Sequence, residues 1–274
     1  MVTQVAGYAL DAINSLTPQQ LFFIQSLPKA RGCMPTLNGS IPISGASHAL
    51  VLAEFLDGDA PQCTYLELRS TPKETPAMTR MEYVKTVLDE DQAALIVSAG
   101  REMDEETVKE CISIAKTLRA EGRRVVGVDL CGDPLRGGHA KSAGLGVTLH
   151  VAETKDNPHP ETLKFLAIGP DRLGHATFLN DETQNIVLKE NIAVELCLSS
   201  NLLCKTVGSL DVHHIRDYLK HDHPIAICTD DILPFRNSML GEYALLMANA
   251  PLGLGLSEDD VRRIAEMSMK CRFT

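Results

Sequence analysis

The chain alternates short, almost continuously apolar runs with longer stretches of helical periodicity. Runs of this length and composition are typical of strands that are buried on both faces, as in a parallel sheet. Strands that alternate with helices indicate βα units. The predicted strands are Cys63–Leu68, Ala93–Ala99, Val125–Cys131, Gly146–Val151, Asp171–His175, Ile192–Leu198 and Ile225–Thr229.

The stretches between these runs predict helices, and Asp181, Asp211 and Ser257 stand where N-caps are expected. Residues 1–30 form a predicted helical lead-in, because Thr17-Pro18 combines a cap with a proline at the first helical position. Residues 251–274 hold a truncated C-terminal helix. The predicted helices are Met81–Glu90, Glu105–Glu121, Pro160–Ala167, Glu182–Glu190, Val212–Lys220, Ser238–Ala250 and Glu258–Met269.

Together these elements predict an α/β fold, a (β/α)8 TIM-type barrel that occupies residues 1–274 as one domain. Its eighth strand is assigned to Cys33–Leu37, and a doubly wound open sheet is the alternative. The barrel is expected to be incomplete, because Cys131–Leu145 is too short and glycine-rich for a helical crossover between parallel strands. Residues 41–59 are also short and weakly periodic for the unit that would link the first two strands.

Composition and charge narrow the class of protein. With 26 Lys and Arg against 36 Asp and Glu, the net charge of −10 disfavours a nucleic acid polymer but permits a small phosphorylated ligand. No apolar run reaches the roughly 20 residues that cross a bilayer, and no secretory signal is expected at the start of the chain. The eight cysteines form no CxxC pair, and several lie in apolar runs. We therefore expect reduced thiols in a cytoplasmic, monomeric protein.

Polar side chains follow several predicted strands at the point where each strand ends. His150, Glu153, His175 and Asp230 have this placement, as does Ser199–Asn201, which is also a common turn composition. Each could serve a structural purpose, but the carboxyl ends of barrel strands meet at one mouth. Imidazole and carboxylate ligands bind zinc, which lowers the pKa of bound water to about 7, and a nearby carboxyl group can transfer protons. The pattern predicts metal-assisted hydrolysis.

Four motifs occur in the order found in one known family and resemble the adenosine deaminase family. They are HVAE (His150–Glu153), RLGH (Arg172–His175), CLSSN (Cys197–Asn201) and CTDD (Cys228–Asp231). Three others look most like its adenosine deaminase-like branch, which removes methylamine from N6-methyl-AMP: YLELRSTP (Tyr65–Pro72), VDLCGDP (Val128–Pro134) and LNGS (Leu37–Ser40). The resemblance covers most of Leu27–Ala250.

The resemblance implies a function in nucleotide metabolism. The implied reaction is zinc-dependent hydrolytic deamination of a purine nucleoside or nucleotide, N6-methyl-AMP or adenosine, to the inosine form. One Zn²⁺ would be held by His150 and Asp230. Glu153 would be the general acid that protonates the purine ring, and His175 would position the attacking hydroxide. The implied substrate-binding residues are Asn38 near the ribose, Gly132 through its backbone N–H, and Asp231, which accepts a hydrogen bond from the base.

The chain departs from the family at the His-x-His motif, whose positions are occupied here by Met34, Pro35 and Thr36. Zinc held by His150 and Asp230 alone has fewer than the three protein ligands normal for a catalytic site. Two alternatives therefore remain beside the active enzyme. One is a catalytically impaired purine-binding homologue, and the other is a mis-spliced product that lacks two metal ligands.

Several other polar and charged residues bear on the choice of substrate and on other classes of barrel enzyme. Asn38, Arg69 and Lys73 favour a monophosphate substrate, although Arg69 could equally form a surface or interface ion pair. Lys155 and Lys164 lie outside the predicted strands, so neither is a candidate for the bridging lysine of the wider amidohydrolases. The remaining histidine pairs are assigned to a solvated helix face: His213-His214 and His221/His223.

Overall fold

The computed structural model describes residues 2–3, 62–89, 93–100, 103–130, 141, 143–231, 235 and 237–274. Several predictions lie outside these residues. They are the N-terminal helix, the eighth strand at Cys33–Leu37, the segment 41–59 and the substrate-binding residues Asn38 and Gly132.

The strands form one sheet in which the spatial order follows the chain order. The first strand runs antiparallel to the second, and the next seven are mutually parallel. All seven strands predicted in the described residues are present. Gly146–Val151 has the predicted bounds, the strand predicted at Cys63–Leu68 lies at Glu67–Ser70, and the other five are shorter than predicted. The strands are β1 Val2–Thr3, β2 Glu67–Ser70, β3 Ala94–Ala99, β4 Val125–Leu130, β5 Gly146–Val151, β6 Arg172–His175, β7 Ala193–Leu196 and β8 Ile225–Ile227.

Helices connect most of the parallel strands. Of the eight helices in the described residues, seven lie where the sequence predicts helix, and the exception follows β7 directly. The helices are α1 Arg80–Asp89, α2 Glu105–Ala120, α3 His159–Ala167, α4 Asp181–Lys189, α5 Leu198–Leu203, α6 Ile215–Lys220, α7 Met239–Met247 and α8 Glu258–Lys270.

Ion pairs across the interior show that the parallel strands curl into a half-barrel. Arg69 on β2 lies 2.6 Å from Glu195 on β7, and Arg172 on β6 lies 2.6 Å from Glu67 on β2. Strands that are far apart in the sheet order can meet in this way only if the sheet bends round on itself. Within the part of the chain that the structure describes, β8 does not pair with β2. The predicted (β/α)8-type architecture is confirmed in this open form.

Strand alternation places polar residues inside the half-barrel and apolar residues under the helices. Side chains of successive strand residues point to opposite faces, so Arg69 and His150 face the interior while Leu68 and Leu149 join the main hydrophobic core. Both classes are buried. The interior is therefore a charged layer enclosed by an apolar shell, which positions the site at the strand ends.

The amino ends of the strands are covered by the segment that follows α8. The Phe273 ring packs 3.6 Å from the Arg172 guanidinium carbon, and the Phe273 N–H donates to Glu67 Oε1 at 2.7 Å. A Cβ on Gly127 or Gly146 would lie 2.6 Å or 2.3 Å from this ring. The two glycines in β4 and β5 are therefore needed for the close approach of Phe273.

Of the three N-caps predicted within the described residues, two are wrong and one is confirmed; the cap predicted at Thr17 lies outside them. Asn180, not Asp181, caps α4, because its extended backbone lets its side chain accept from Thr183 N at 3.0 Å. Asp211 caps no α-helix, since residues 210–212 form a 3-10 turn and α6 begins only at Ile215. Ser257 caps α8 as predicted, in a reciprocal capping box with Asp260.

Candidate active site

The candidate site lies at the carboxyl ends of β5, β6 and β8. His150 and His175 are strand residues of β5 and β6, and Asp230 follows β8. His175 and Asp230 have left-handed backbones, with φ of 61° and 58°, a conformation that is uncommon outside glycine and clusters at functional sites. The rings of His150 and His175 have centroids 5.4 Å apart.

His150 is held by a partner at each ring nitrogen. Its Nδ1 lies 3.0 Å from Asp129 Oδ1, and its Nε2 lies 3.1 Å from Arg69 Nη1. A guanidinium can only donate, so Nε2 accepts and Nδ1 carries the proton donated to Asp129. Burial would raise the pKa of Asp129, but the His150 ring and the Arg69 guanidinium hold it well below its usual range. Asp129 is therefore ionised and orients the imidazole.

Arg69 occupies a different place from the one expected. It is only 3% exposed, and its Nη2 lies 2.6 Å from Glu195 Oε2. Glu195 is also 2.9 Å from the Nε of Arg172, so the three side chains form one buried network. The expected surface ion pair or phosphate contact is wrong, because the alternation within ELRS turns position 69 towards the interior.

His175 lies between two carboxylates, yet neither ring nitrogen has a hydrogen-bond partner among the described residues. Its Nε2 is 3.6 Å from Glu153 Oε1 and 3.9 Å from Asp230 Oδ2. The side chain is 1% exposed, and burial lowers the pKa of the ring in spite of both carboxylates. His175 is a neutral imidazole that a bound ligand or ion would satisfy.

Cys197 and Asp230 complete a group of potential metal ligands with His175. One ligand atom from each of the three lies within 4.8 Å of the other two. Ser200 Oγ donates to Asp230 Oδ2 at 2.7 Å. A hydrogen bond with Cys228 and burial raise the pKa of the Cys197 thiol well above its usual range, so it is protonated without a metal. The sequence placed Cys197 in an apolar run and in the CLSSN motif but did not identify it as a ligand, although it directly follows a strand and lies two positions before Ser199.

Ser199–Asn201 forms part of α5 and is buried, not a surface turn as its composition suggests. Glu242 on α7 stabilises this short helix, accepting from Leu198 N at 2.8 Å and from Ser199 N at 3.3 Å. Burial raises the pKa of Glu242 to about 7. The only sequence signal for this residue was a single acidic position within the apolar helix Met239–Met247.

The expected solvated histidine face is mostly wrong. His213 and His223 are 1% and 3% exposed, and His214 donates from Nε2 to the backbone oxygen of His175 at 2.9 Å. His223 Nε2 likewise donates to Ile192 O at 2.7 Å. Only His221 is exposed. The other three side chains hydrogen-bond to backbone groups, and periodicity alone does not reveal these contacts.

The structure therefore brings His150, Glu153, His175 and Asp230 to one mouth, with Asp231 next in the chain. A histidine, a thiol and a carboxylate within a few ångströms are donors that suit zinc. His150, the ligand that the family resemblance implies, lies outside this group of three, and its Nε2 accepts from Arg69. The donor set fits a divalent cation, with His175 and Asp230 as the better-placed pair.

A parallel half-barrel with imidazole and carboxylate groups at its strand ends defines a class of protein, the barrel hydrolases. A sequence model of the adenosine deaminase family matches residues 46–274. The N6-methyl-AMP deaminase of Homo sapiens is 35% identical over 224 residues, covering 71% of this chain and 62% of that protein. The N6-mAMP deaminase of Arabidopsis thaliana is 31% identical over 252 residues, covering 76% of this chain and 68% of that protein.

A solved structure agrees with the sequence relatives. The crystal structure of the Arabidopsis protein ADAL complexed with IMP aligns with a TM-score of 0.75 at 30% identity, over 84% of this chain and 72% of that one. The chain belongs to the adenosine deaminase family, and the predicted enzyme class, an aminohydrolase, is confirmed at that level. It spans between 56% and 70% of the lengths of curated relatives such as those of Caenorhabditis elegans and Danio rerio.

Other predictions can be compared with the described residues. Six cysteines of the described residues are free thiols: Cys63, Cys111, Cys197, Cys204, Cys228 and Cys271. Among the same residues, no helix is both long and apolar enough to span a bilayer.

Proposed function

We propose that this chain catalyses the hydrolytic deamination of a purine nucleotide, with N6-methyl-AMP as the preferred substrate and adenosine as the alternative. One observation carries the proposal: His175, Glu153 and Asp230 lie together at the strand ends of a chain of the adenosine deaminase family. A relative of known structure binds IMP, the product that such a reaction would release.

The proposed reaction converts N6-methyl-AMP and water into IMP and methylamine. The water oxygen forms a bond to the ring carbon that carries the amino group, and the bond from that carbon to the methylamino nitrogen breaks. Zinc, when bound, supplies a water of lowered pKa for the attack. We assign the metal-binding carboxylate to Asp230, and the resemblance assigns an imidazole ligand to His150 and hydroxide positioning to His175.

Glu153 is the proposed proton carrier. Its side chain is 44% exposed, so it faces the open mouth where a purine can approach, and its Oε1 lies 3.6 Å from His175 Nε2. In this position it can protonate the ring nitrogen and later the departing methylamine. The two protons that the attacking water loses, as its oxygen becomes the carbonyl oxygen of IMP, replace the two that Glu153 gives. Asp231, partly exposed beside Asp230, is the proposed hydrogen-bond acceptor for the base.

The monophosphate preference rests on less than the sequence suggested. Arg69 is withdrawn into the interior network, so it no longer supports a phosphate contact. Lys73 is exposed and remains the proposed source of positive charge. Asn38 and Gly132, proposed near the ribose and the ring, lie outside the described residues. We further propose a cytoplasmic location, supported by the free thiols.

Turnover of the purified chain tests the proposal directly. We expect conversion of N6-methyl-AMP to IMP, measured by chromatography of the nucleotides, and slower conversion of adenosine. Glu153→Gln removes the proton carrier and should lower kcat by at least about 100-fold. The control Glu106→Gln alters a surface carboxylate that is 86% exposed on α2 and should leave kcat unchanged. Faster conversion of adenosine than of the monophosphate would contradict the substrate choice.

A binding protein without turnover is the second candidate function. It is favoured by the absent His-x-His motif, at Met34 to Thr36, and by the contact of Arg69 with His150. This candidate predicts measurable IMP binding by calorimetry, no bound zinc by elemental analysis and no conversion of any purine. A transcript that encodes His-x-His in frame before LNGS would instead support a mis-spliced product of an active gene.

A further inference from the structure

His175 is a buried imidazole whose hydrogen-bonding capacity is unused within the described chain. The side chain is 1% exposed, and neither Nδ1 nor Nε2 has a hydrogen-bond partner among the described residues. A buried polar group in this state costs about 1–3 kcal/mol unless something else satisfies it. Within the described residues, both ring nitrogens are therefore free to bind a ligand or an ion.

The groups nearest to this imidazole come from two other strand ends. Cys197 is the N-cap residue of α5, immediately after β7, and Asp230 follows β8. Their Sγ and carboxylate oxygen lie with a His175 ring nitrogen in one group no wider than 4.8 Å. Tetrahedral zinc bonds of about 2.0 Å to nitrogen or oxygen and 2.3 Å to sulfur place the ligand atoms of such a set about 3.3–3.5 Å apart. Side-chain shifts of about 1 Å would close the group around an ion.

His150, in contrast, is not ready to bind a metal. Its Nε2 accepts from Arg69 Nη1 at 3.1 Å, and Arg69 is held by Glu195 at 2.6 Å. For an ion to reach this nitrogen, the guanidinium must turn away and lose a buried charge partner. Breaking a buried pair is costly, so a site that leaves Arg69 in place is favoured.

We propose that this chain binds a zinc-like divalent cation through His175, Cys197 and Asp230, with Cys197 supplying the ligand that the missing His-x-His motif does not. On binding, the Cys197 thiol loses one proton to solvent, so that a thiolate and a carboxylate neutralise the two charges of the ion. Three protein ligands and one open position are the number found in catalytic zinc sites. The inference rests on the proposed function only in placing the metal at the same mouth. It makes His175 a metal ligand in place of the hydroxide-positioning role that the family resemblance gives to this residue.

Cobalt(II) in place of zinc provides a readout that is independent of turnover. A thiolate ligand gives cobalt(II) a charge-transfer absorption in the near ultraviolet that nitrogen and oxygen ligands do not give. We expect the full-length chain, freed of metal, to bind one cobalt per chain with this absorption. Cys197→Ser should abolish the absorption and weaken cobalt binding by more than about 100-fold, since even changes behind the ligands cost 10–100-fold.

Two variants control for adventitious binding to other thiols. Cys111→Ser removes a thiol that is buried in α2, and Cys204→Ser removes an exposed thiol beside the site helix. Both should keep the absorption and the affinity. Circular dichroism and urea unfolding of each variant without metal establish that its fold is intact.

Three results would overturn the inference: no bound cobalt, bound cobalt without the charge-transfer absorption in the unmodified chain, or absorption that persists in Cys197→Ser. Absence of the absorption in the unmodified chain overturns the inference even if the Cys197→Ser variant does not fold. Failure of the proposed function gives a different pattern. Cys197-dependent absorption without conversion of any purine would support the metal site and contradict the deaminase assignment. Conversion of a purine without the absorption would support the deaminase assignment and contradict the metal site.

Discussion

Replacing Arg69 by methionine tests the buried ion-pair network that joins three strands of the half-barrel. The substitution keeps much of the side-chain volume but removes the charge beside Glu195, which is 2% exposed. Glu195 keeps Arg172 Nε at 2.9 Å and Thr148 Oγ1 at 3.0 Å, so it is not left isolated. Breaking a buried pair costs about 3–5 kcal/mol, and the remaining partners place the expected loss near 3 kcal/mol.

Equilibrium unfolding in urea measures this loss. With a dependence of about 3 kcal/mol per molar urea, the midpoint of Arg69→Met should fall by about 1 M. The matched control is Arg80→Met, which removes ion pairs to Glu74 and Glu110 at the surface and should cost no more than about 1 kcal/mol. Equal effects of the two substitutions would refute the argument that burial gives Arg69 its larger contribution.

Three further predictions follow from single contacts. Burial raises the pKa of Glu242 to about 7 in the folded chain, so the folded state binds this proton more tightly than the unfolded state. Its contribution is present below the unfolded pKa and is lost as pH rises through the folded pKa, by about 3 kcal/mol between about pH 4 and pH 8. The urea midpoints of Glu242→Gln should lack this decline, and a variant with the same pH profile as the unmodified chain would contradict the reasoning. Gly146→Ala places a Cβ against the Phe273 ring and should lower the free energy of unfolding by about 1–3 kcal/mol. Adding Phe273→Leu should restore part of this loss in thermal unfolding. Additive losses from the two substitutions would argue against the contact. Ser257→Ala should cost about 1 kcal/mol by loss of the α8 cap, whereas Asp211→Ala should leave the melting temperature unchanged.

Most secondary structure could be predicted because local pattern and final burial agree. The run Gly146–Val151 is a strand in both descriptions, since its apolar side chains find a helix layer on the outer face. The helix Glu105–Ala120 differs from its prediction by one residue. Boundaries failed where competing caps stand side by side, as at Asn180 and Asp181, because the backbone angles that choose between them are set by the loop before the helix.

The candidate site was predictable as a set of strand ends, but its contacts were not. Parallel strands bring their carboxyl ends to one edge, so His150, His175 and Asp230 could be grouped from the sequence. Which of them is engaged by Arg69 depends on the curl of the sheet, which brings β2 opposite β5 and β7. The periodicity of residues within one strand carries no information about the distance between strands that lie opposite each other in the curled sheet.

The sequence by itself determined the order of the βα units, the family motifs and the absence of the His-x-His pair. Those features depend on local composition and on residue identity at fixed spacings. Only the tertiary structure decided that Arg69 is buried, that His175 lacks a partner among the described residues, and that Cys197 lies beside Asp230. These are contacts between segments distant in the chain, and they arise when the curled sheet and its helices exclude water from the same small volume.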